Sequence, residues 1–239
     1  MKGIILAGGK GTRLRPLTRV TSKQLLPIYN KPMIYYPLQT LLTAGIEDIL
    51  IIVAPDHAGD FLKLLGSGKE FDCDFTYEIQ EKPEGLAQAF IIGEDFIGDD
   101  DVTLILGDNL FEDDFTEPIQ SFDSGGRVFA KKVNDPQRFG VVEFDQNQQA
   151  ISIEEKPKHP KSEYAITGLY IYDHTVVEKA RNLDPSDRGE LEITDINNLY
   201  LQEENLDVAF VKNRWFDTGT FESMHRAVEF ARQKHLGKD

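Results

Sequence analysis

The 239-residue sequence predicts an α/β fold: a Rossmann-like, mixed but mostly parallel sheet flanked by helices, with antiparallel ribbons in the second half. Three observations predict it. Short, continuously apolar runs alternate with helix-length amphipathic segments through the first half, as buried parallel strands and crossover helices do. The first of these strands runs straight into a glycine-rich loop. In the second half the strand-like segments are joined by polar turns instead of helices, which suggests antiparallel ribbons.

Taken in order, residues 2–7 read as a strand and 32–44 as a helix closed by Gly45. Residues 49–54 form a fully apolar strand and 57–65 a helix, and Gly66-Ser67-Gly68 is a turn. A strand at 75–80, a helix at 85–92 and an apolar strand at 102–106 complete the alternating half. Strands at 127–133, 139–145, 150–155 and 164–172 follow, with Asp145-Gln146-Asn147-Gln148 as one of the polar turns. Helices are expected near 175–182 and 191–203, then a strand at 208–211 and a last helix from 221 to about 235. No repeat, low-complexity segment or linker interrupts the chain, so one domain over 1–239 is expected.

Charge is distributed unevenly. The chain holds 26 Lys and Arg against 41 Asp and Glu, yet its first 46 residues contain seven of the cations and none of the acids. The other 193 residues therefore carry a net charge of −22. Salt screens over about 8 Å, so a local cationic loop can hold a small anion despite the acidic whole. The same acidity argues against a nucleic-acid partner, which needs an extended basic surface. No apolar run approaches the ~18 residues of a membrane span, and no signal-peptide pattern opens the chain, so a cytoplasmic protein without a membrane partner is expected. The single Cys73 permits no intrachain disulfide, and the five histidines have no zinc-like spacing.

The glycine loop lies in Leu6-Ala7-Gly8-Gly9-Lys10-Gly11-Thr12-Arg13-Leu14-Arg15-Pro16-Leu17-Thr18, followed by Ser22-Lys23-Gln24-Leu25-Leu26-Pro27. It matches neither the Walker loop nor the dinucleotide fingerprint, since Leu14 stands where the latter needs its third glycine. Glycines still let backbone N–H groups approach an anion. Arg13 and Arg15 add planar forks of donors for phosphate oxygens, and Lys23 adds a point charge. The loop reads as a clamp for a triphosphate that loses its pyrophosphate. Asp108 stands at the carboxyl end of strand 102–106, where open α/β sheets bind ligands. Asp217 falls in Trp215-Phe216-Asp217-Thr218-Gly219, read as a loop before the last helix. Asp99-Asp100-Asp101 precedes its strand and is read as a polar turn, which argues against a glycosyltransferase metal motif. Glu154 and Glu155 alternate faces of a strand beside Lys156, a spacing that equally suits a solvated edge closed by Pro157.

These motifs together resemble the sugar-1-phosphate nucleotidylyltransferases, with the thymidylyl-transferring members nearest in pattern. The resemblance extends through Lys31-Pro32-Met33-Ile34-Tyr35-Tyr36-Pro37-Leu38, Gly85-Leu86-Ala87-Gln88-Ala89, Leu106-Gly107-Asp108-Asn109, Ile153-Glu154-Glu155-Lys156-Pro157, Tyr164-Ala165-Ile166-Thr167-Gly168-Leu169-Tyr170 and Gly189-Glu190-Leu191-Glu192-Ile193-Thr194-Asp195. It implies the nucleotide-diphospho-sugar transferase type of fold. The implied reaction is Mg²⁺-dependent transfer from dTTP to α-D-glucose 1-phosphate, by in-line attack on the α-phosphorus. Uridylyl transfer from UTP stays open, because one methyl in an apolar pocket discriminates by only about 1–3 kcal/mol.

By the same resemblance, Arg13, Lys23, Asp108 and Lys156 are the catalytic residues, and Asp108 and Asp217 hold the metal. Gly8, Gly11, Thr12, Arg13, Lys23, Gln80 and Gly85 bind the nucleotide, the Gln80 amide against the imide edge of the base. Asn109, Gly140, Glu155, Lys156, Ile166 and Arg188 bind the sugar phosphate. Phe139 stands where relatives often carry tyrosine, so one hydroxyl contact is missing. A non-catalytic nucleotide-sugar sensor is disfavoured, because Arg13, Lys23, Asp108 and Asp217 are all kept. Longer thymidylyltransferases continue with further helices after 221–235, which puts end-product regulation in doubt here. The expected partners are small molecules, a nucleoside triphosphate and a sugar 1-phosphate, and a homo-oligomer is left open.

Overall fold

The computed structural model describes residues 1–236. In chain order its strands are β1 (Lys2–Ala7), β2 (Pro27–Ile28), β3 (Lys31–Pro32), β4 (Asp48–Val53), β5 (Asp74–Ile79), β6 (Val102–Leu106), β7 (Asn109–Phe111), β8 (Gly126–Lys132), β9 (Gly140–Phe144), β10 (Ala150–Glu155), β11 (Tyr164–Tyr172), β12 (Leu206–Phe210) and β13 (Trp215–Asp217). The α-helices are α1 (Tyr35–Thr43), α2 (Ala58–Leu65), α3 (Gln88–Ile92), α4 (Glu94–Ile97), α5 (Thr116–Gln120), α6 (Val176–Arg181), α7 (Ile193–Gln202) and α8 (Phe221–Leu236). The fold is α/β, mostly parallel with helices on the sheet and antiparallel ribbons in the second half, as the sequence predicts.

Contacts group the chain into two compact units. The glycine-loop unit comprises Gly3–Pro83, Ile105–Glu117 and, among the described residues, 213–236. Within it β1 pairs with β4, and β4 with β5, both in parallel. Ile4, Ile5 and Ile49 to Val53 are fully buried, so both faces of these strands are covered. That is why they read as unbroken apolar runs. Helix α1 starts at Tyr35, three residues later than expected, because Met33 and Ile34 donate their N–H groups to Leu26 and Gln24 carbonyls (2.9 Å each). Those bonds tie the turn before Tyr35 to residues 24–26.

The ribbon unit comprises Met1–Lys2, Glu84–Leu104 and Pro118–Lys212. Here β9 pairs antiparallel with β10 and β11, β11 with β8, while β12 joins β8 in parallel. Helix α3 starts at Gln88 instead of Gly85, because Glu84 to Ala87 is tied to another segment: Leu191 N–H donates to Glu84 O (2.7 Å) and Ala87 N–H to Leu191 O (3.2 Å). Gly85 adopts φ 115° there, and a Cβ on it would fall 2.2 Å from Leu191 O, so only glycine fits. Asp100 pairs with Lys2 at 3.0 Å, which fixes 99–101 as the expected polar turn.

Candidate active site

In the glycine-loop unit, β1 ends at Ala7 and the chain turns through Gly8, Gly9 and Gly11. Gly8 is packed so closely on Gln80 that a Cβ would fall 2.2 Å from Gln80 Oε1, which brings two of the expected nucleotide residues together. Gln80 itself is buried at the end of β5, its N–H bonded to Val53 O at 2.8 Å. Gly11 sits at φ 57° and caps a short 3₁₀ turn, Thr12–Leu14. Its carbonyl accepts from Thr18 Oγ1 (2.7 Å) and from Leu14 N–H (3.0 Å). Leu14 is the buried anchor of that turn, and it leaves Thr12 and Arg13 exposed. Leu14 thus pins a loop whose charged side chains stay exposed.

Lys23 and Asp108, 85 residues apart, form a largely buried ion pair through Lys23 Nζ and Asp108 Oδ2. Asp108 Oδ1 accepts from Asn109 Nδ2 at 3.2 Å, and Asn109 Oδ1 in turn accepts from Trp215 Nε1 at 2.6 Å. Burial alone would raise the Asp108 carboxyl, but the Lys23 charge and hydrogen bond, with help from Asn109, hold it below the usual carboxylate range. Asp108 is therefore a buried, ionised carboxylate. Asn109, expected at the sugar, has its amide engaged by Asp108 and Trp215.

Asp217 is not in a loop. Residues 215–217 form β13, which pairs antiparallel with β7 and sets Asp217 opposite Asn109. Thr218 locks the register, donating its N–H (3.0 Å) and Oγ1–H (2.6 Å) to Asp108 O. The sequence hid this strand because it is three residues long and pairs with another three, below any detectable periodicity. The ladder sets Asp217 opposite Asn109, the residue after Asp108. Arg13 reaches the same end of β13: a Cβ at Gly219 would fall 2.5 Å from Arg13 Nη2 and 3.2 Å from Asp217 Oδ1.

Among the described residues no cluster of three or more His, Cys, Asp or Glu forms a metal cage. Asp108, held ionised, and Asp217, on the strand paired with the residue after it, nonetheless suit a hard divalent cation that takes one or two carboxylates and completes its shell with water and phosphate oxygens.

The ribbon unit gathers most of the residues expected at the sugar phosphate. Glu155 closes β10 opposite Gly140 of β9, and Glu154 points out to solvent. Glu155 Oε2 accepts from Thr194 Oγ1 (2.6 Å), and Oε1 lies 3.1 Å from Lys156 Nζ and 3.4 Å from Arg188 Nη1. A Cβ at Gly140 would fall 3.0 Å from Thr194 Oγ1, 3.4 Å from Glu155 Oε2 and 3.9 Å from Ile166 Cβ, so glycine keeps this corner open. Lys156 adopts φ 44°, rare for a residue with a side chain, and its N–H donates to Phe139 O at 3.0 Å. Strain of this kind costs about 1–3 kcal/mol and gathers at functional sites. Gly85 lies in this unit too, against Leu191.

Sequence reasoning passed over Thr194, Gly219, Trp215 and Glu190, although each lies inside a motif it had quoted. A separate cavity of about 640 Å³ in the glycine-loop unit, lined among others by Lys31, Tyr36, Glu112, Phe230 and His235, contains none of the expected site residues.

The nucleotidyl transferase family profile matches residues 2–234. A Neisseria meningitidis protein named glucose-1-phosphate thymidylyltransferase is 56% identical over 236 residues, covering 96% of this chain and 82% of its own length. A protein of the same name from Mycolicibacterium smegmatis is 53% identical, covering 99% and 84%. A crystal structure from Bacillus anthracis, a candidate glucose-1-phosphate thymidylyltransferase in complex with a sucrose, superposes with a TM-score of 0.93 at 50% identity, covering 97% and 95%. A UDP-glucose pyrophosphorylase complexed with UDP-glucose shares the fold, with a TM-score of 0.84 at 24% identity over 98% of both chains. The glycine loop, the Asp108–Asp217 pair and the Glu155–Lys156 corner thus sit in a chain that belongs to the nucleotidyl transferase family.

Proposed function

We propose that the chain transfers a thymidylyl group from dTTP to α-D-glucose 1-phosphate, giving dTDP-glucose and pyrophosphate. The observation that carries this reading is the name borne by relatives 53–56% identical over 96–99% of the chain. Both reactants are anions, so the obstacles are their mutual repulsion and the charge on departing pyrophosphate. Positioning and cationic stabilisation answer both, and no covalent enzyme intermediate is needed.

In the glycine-loop unit, Gly8, Gly11 and Thr12 line the triphosphate's path, and Arg13 and Lys23 balance its charge. Gln80 pairs with the imide edge of the base. Asp108 and Asp217 would hold Mg²⁺, which when bound neutralises charge on phosphate oxygens. In the ribbon unit, Lys156 and Arg188 bind the sugar phosphate and align its attacking oxygen. Glu155, fixed by Thr194, accepts from sugar hydroxyls.

The test is a panel of dTTP, UTP, ATP, CTP and GTP against glucose 1-phosphate and other sugar phosphates with Mg²⁺, products identified by mass spectrometry. The expected outcome is dTDP-glucose, formed fastest of all pairs. Faster formation of UDP-glucose would move the assignment to uridylyl transfer, and no product from any pair would overturn the reaction.

A further inference from the structure

Arg188 is surrounded by carboxylates of its own unit. Its Nη2 donates to Glu190 Oε2, while Nη1 lies 3.4 Å from Glu155 Oε1 and 3.5 Å from Glu192 Oε1. A phosphate dianion approaching this guanidinium meets three acids against two cations, Arg188 and Lys156, so one carboxylate has to leave before a bidentate Arg–phosphate contact can form.

Two of the three are fixed. Glu192 is buried beside the start of α7 and accepts from Ser186 Oγ at 2.8 Å. Glu155 is held by Thr194 Oγ1 at 2.6 Å and paired with Lys156. Glu190 differs: its side chain is 39% exposed, and Arg188 is its ion-pair partner. Its backbone closes a tight turn, with Ser186 N–H donating to Glu190 O (2.9 Å) and Gly189 N–H to Ser186 O (2.7 Å). The turn stays closed whichever way the Glu190 carboxylate points.

We propose that Glu190 is a displaceable internal ligand of Arg188: it holds the guanidinium where the sugar phosphate binds and yields it to a phosphate group. This rests on the assignment of Arg188 to the sugar phosphate. Exposed ion pairs are weak, so the competition is modest, and removing it tightens sugar-phosphate binding by about two- to fivefold.

The experiment compares steady-state kinetics of the 239-residue chain with those of its Glu190→Gln and Arg188→Ala variants, alone and combined. Expected is a two- to fivefold lower KM for glucose 1-phosphate in Glu190→Gln, an unchanged KM for dTTP, and no effect of Glu190→Gln once Arg188 is alanine. A merely structural ion pair would lower Tm without lowering that KM. An unchanged or raised KM for glucose 1-phosphate overturns the proposal while leaving the reaction standing. If no nucleotide sugar forms, the reaction itself is wrong, and calorimetric titration with glucose 1-phosphate decides separately. Tighter binding by Glu190→Gln then supports the internal ligand, and equal or weaker binding overturns it.

Discussion

A buried carboxylate proposed to hold a metal must stay ionised even when water is excluded from it, and Asp108 stays so because Lys23 and Asn109 are beside it. The residue next to it in importance has no side chain at all. Gly219 gives up its Cβ position to the Arg13 guanidinium, 2.5 Å away, and to Asp217 Oδ1, 3.2 Å away. Its requirement is spatial, since its backbone lies outside the left-handed region. Gly219→Ala is therefore expected to push Arg13 aside while leaving the fold intact, and to lower kcat by roughly 10²-fold, the scale of losing one oriented transition-state donor. Kinetics and a melting curve on that variant check it; wild-type turnover would contradict the packing of Arg13 over Gly219.

At the scale of elements, the end of β11 shows how a carboxylate ties segments together. Asp173 accepts from Gly125 N–H (2.8 Å), Thr175 N–H (3.1 Å), Thr175 Oγ1 and Tyr200 OH (2.8 Å), joining β11, the entry to β8 and helix α7. Burial would raise its carboxyl, but these donors outweigh burial and lower it. A lowered folded-state value means that this stabilisation is complete above the ordinary carboxylate range and is lost as pH falls through the folded value. Asp173→Asn is expected to cost about 1–2 kcal/mol at neutral pH. The difference from wild type should shrink in acid; thermal melts at pH 7 and pH 3 read both, and a constant difference would contradict the charge-based account. The elements themselves were legible where each is long and apolar or alternating: β1, β10 and β11 have the expected bounds. The starts of α1 and α3 were not, because both are delayed by backbone bonds to Gln24, Leu26 and Leu191, partners that local sequence does not reveal.

Across the whole molecule, the same contrast separates what the sequence told from what it withheld. The loop with Arg13 and Lys23, Asp108 at a strand end, and the Glu155–Lys156 pair announce themselves by composition and by motif. The Lys23–Asp108, Asn109–Trp215 and Glu155–Thr194 contacts join residues 39 to 106 positions apart, and only the fold brings them together. No helix of the described residues is long and apolar enough to cross a membrane. Among the candidate site residues there is no Ser, Cys or His to take the nucleotide covalently. Direct displacement therefore predicts that pyrophosphate leaves only when the sugar phosphate is present. The most direct measurement is pyrophosphate release, together with exchange of labelled pyrophosphate into dTTP, in the presence of Mg²⁺ and with glucose 1-phosphate present or omitted. Release and exchange that are absent with dTTP alone and appear on adding the sugar phosphate are the predicted result. A stoichiometric burst of pyrophosphate from dTTP alone would mean a nucleotidylated enzyme and would contradict it.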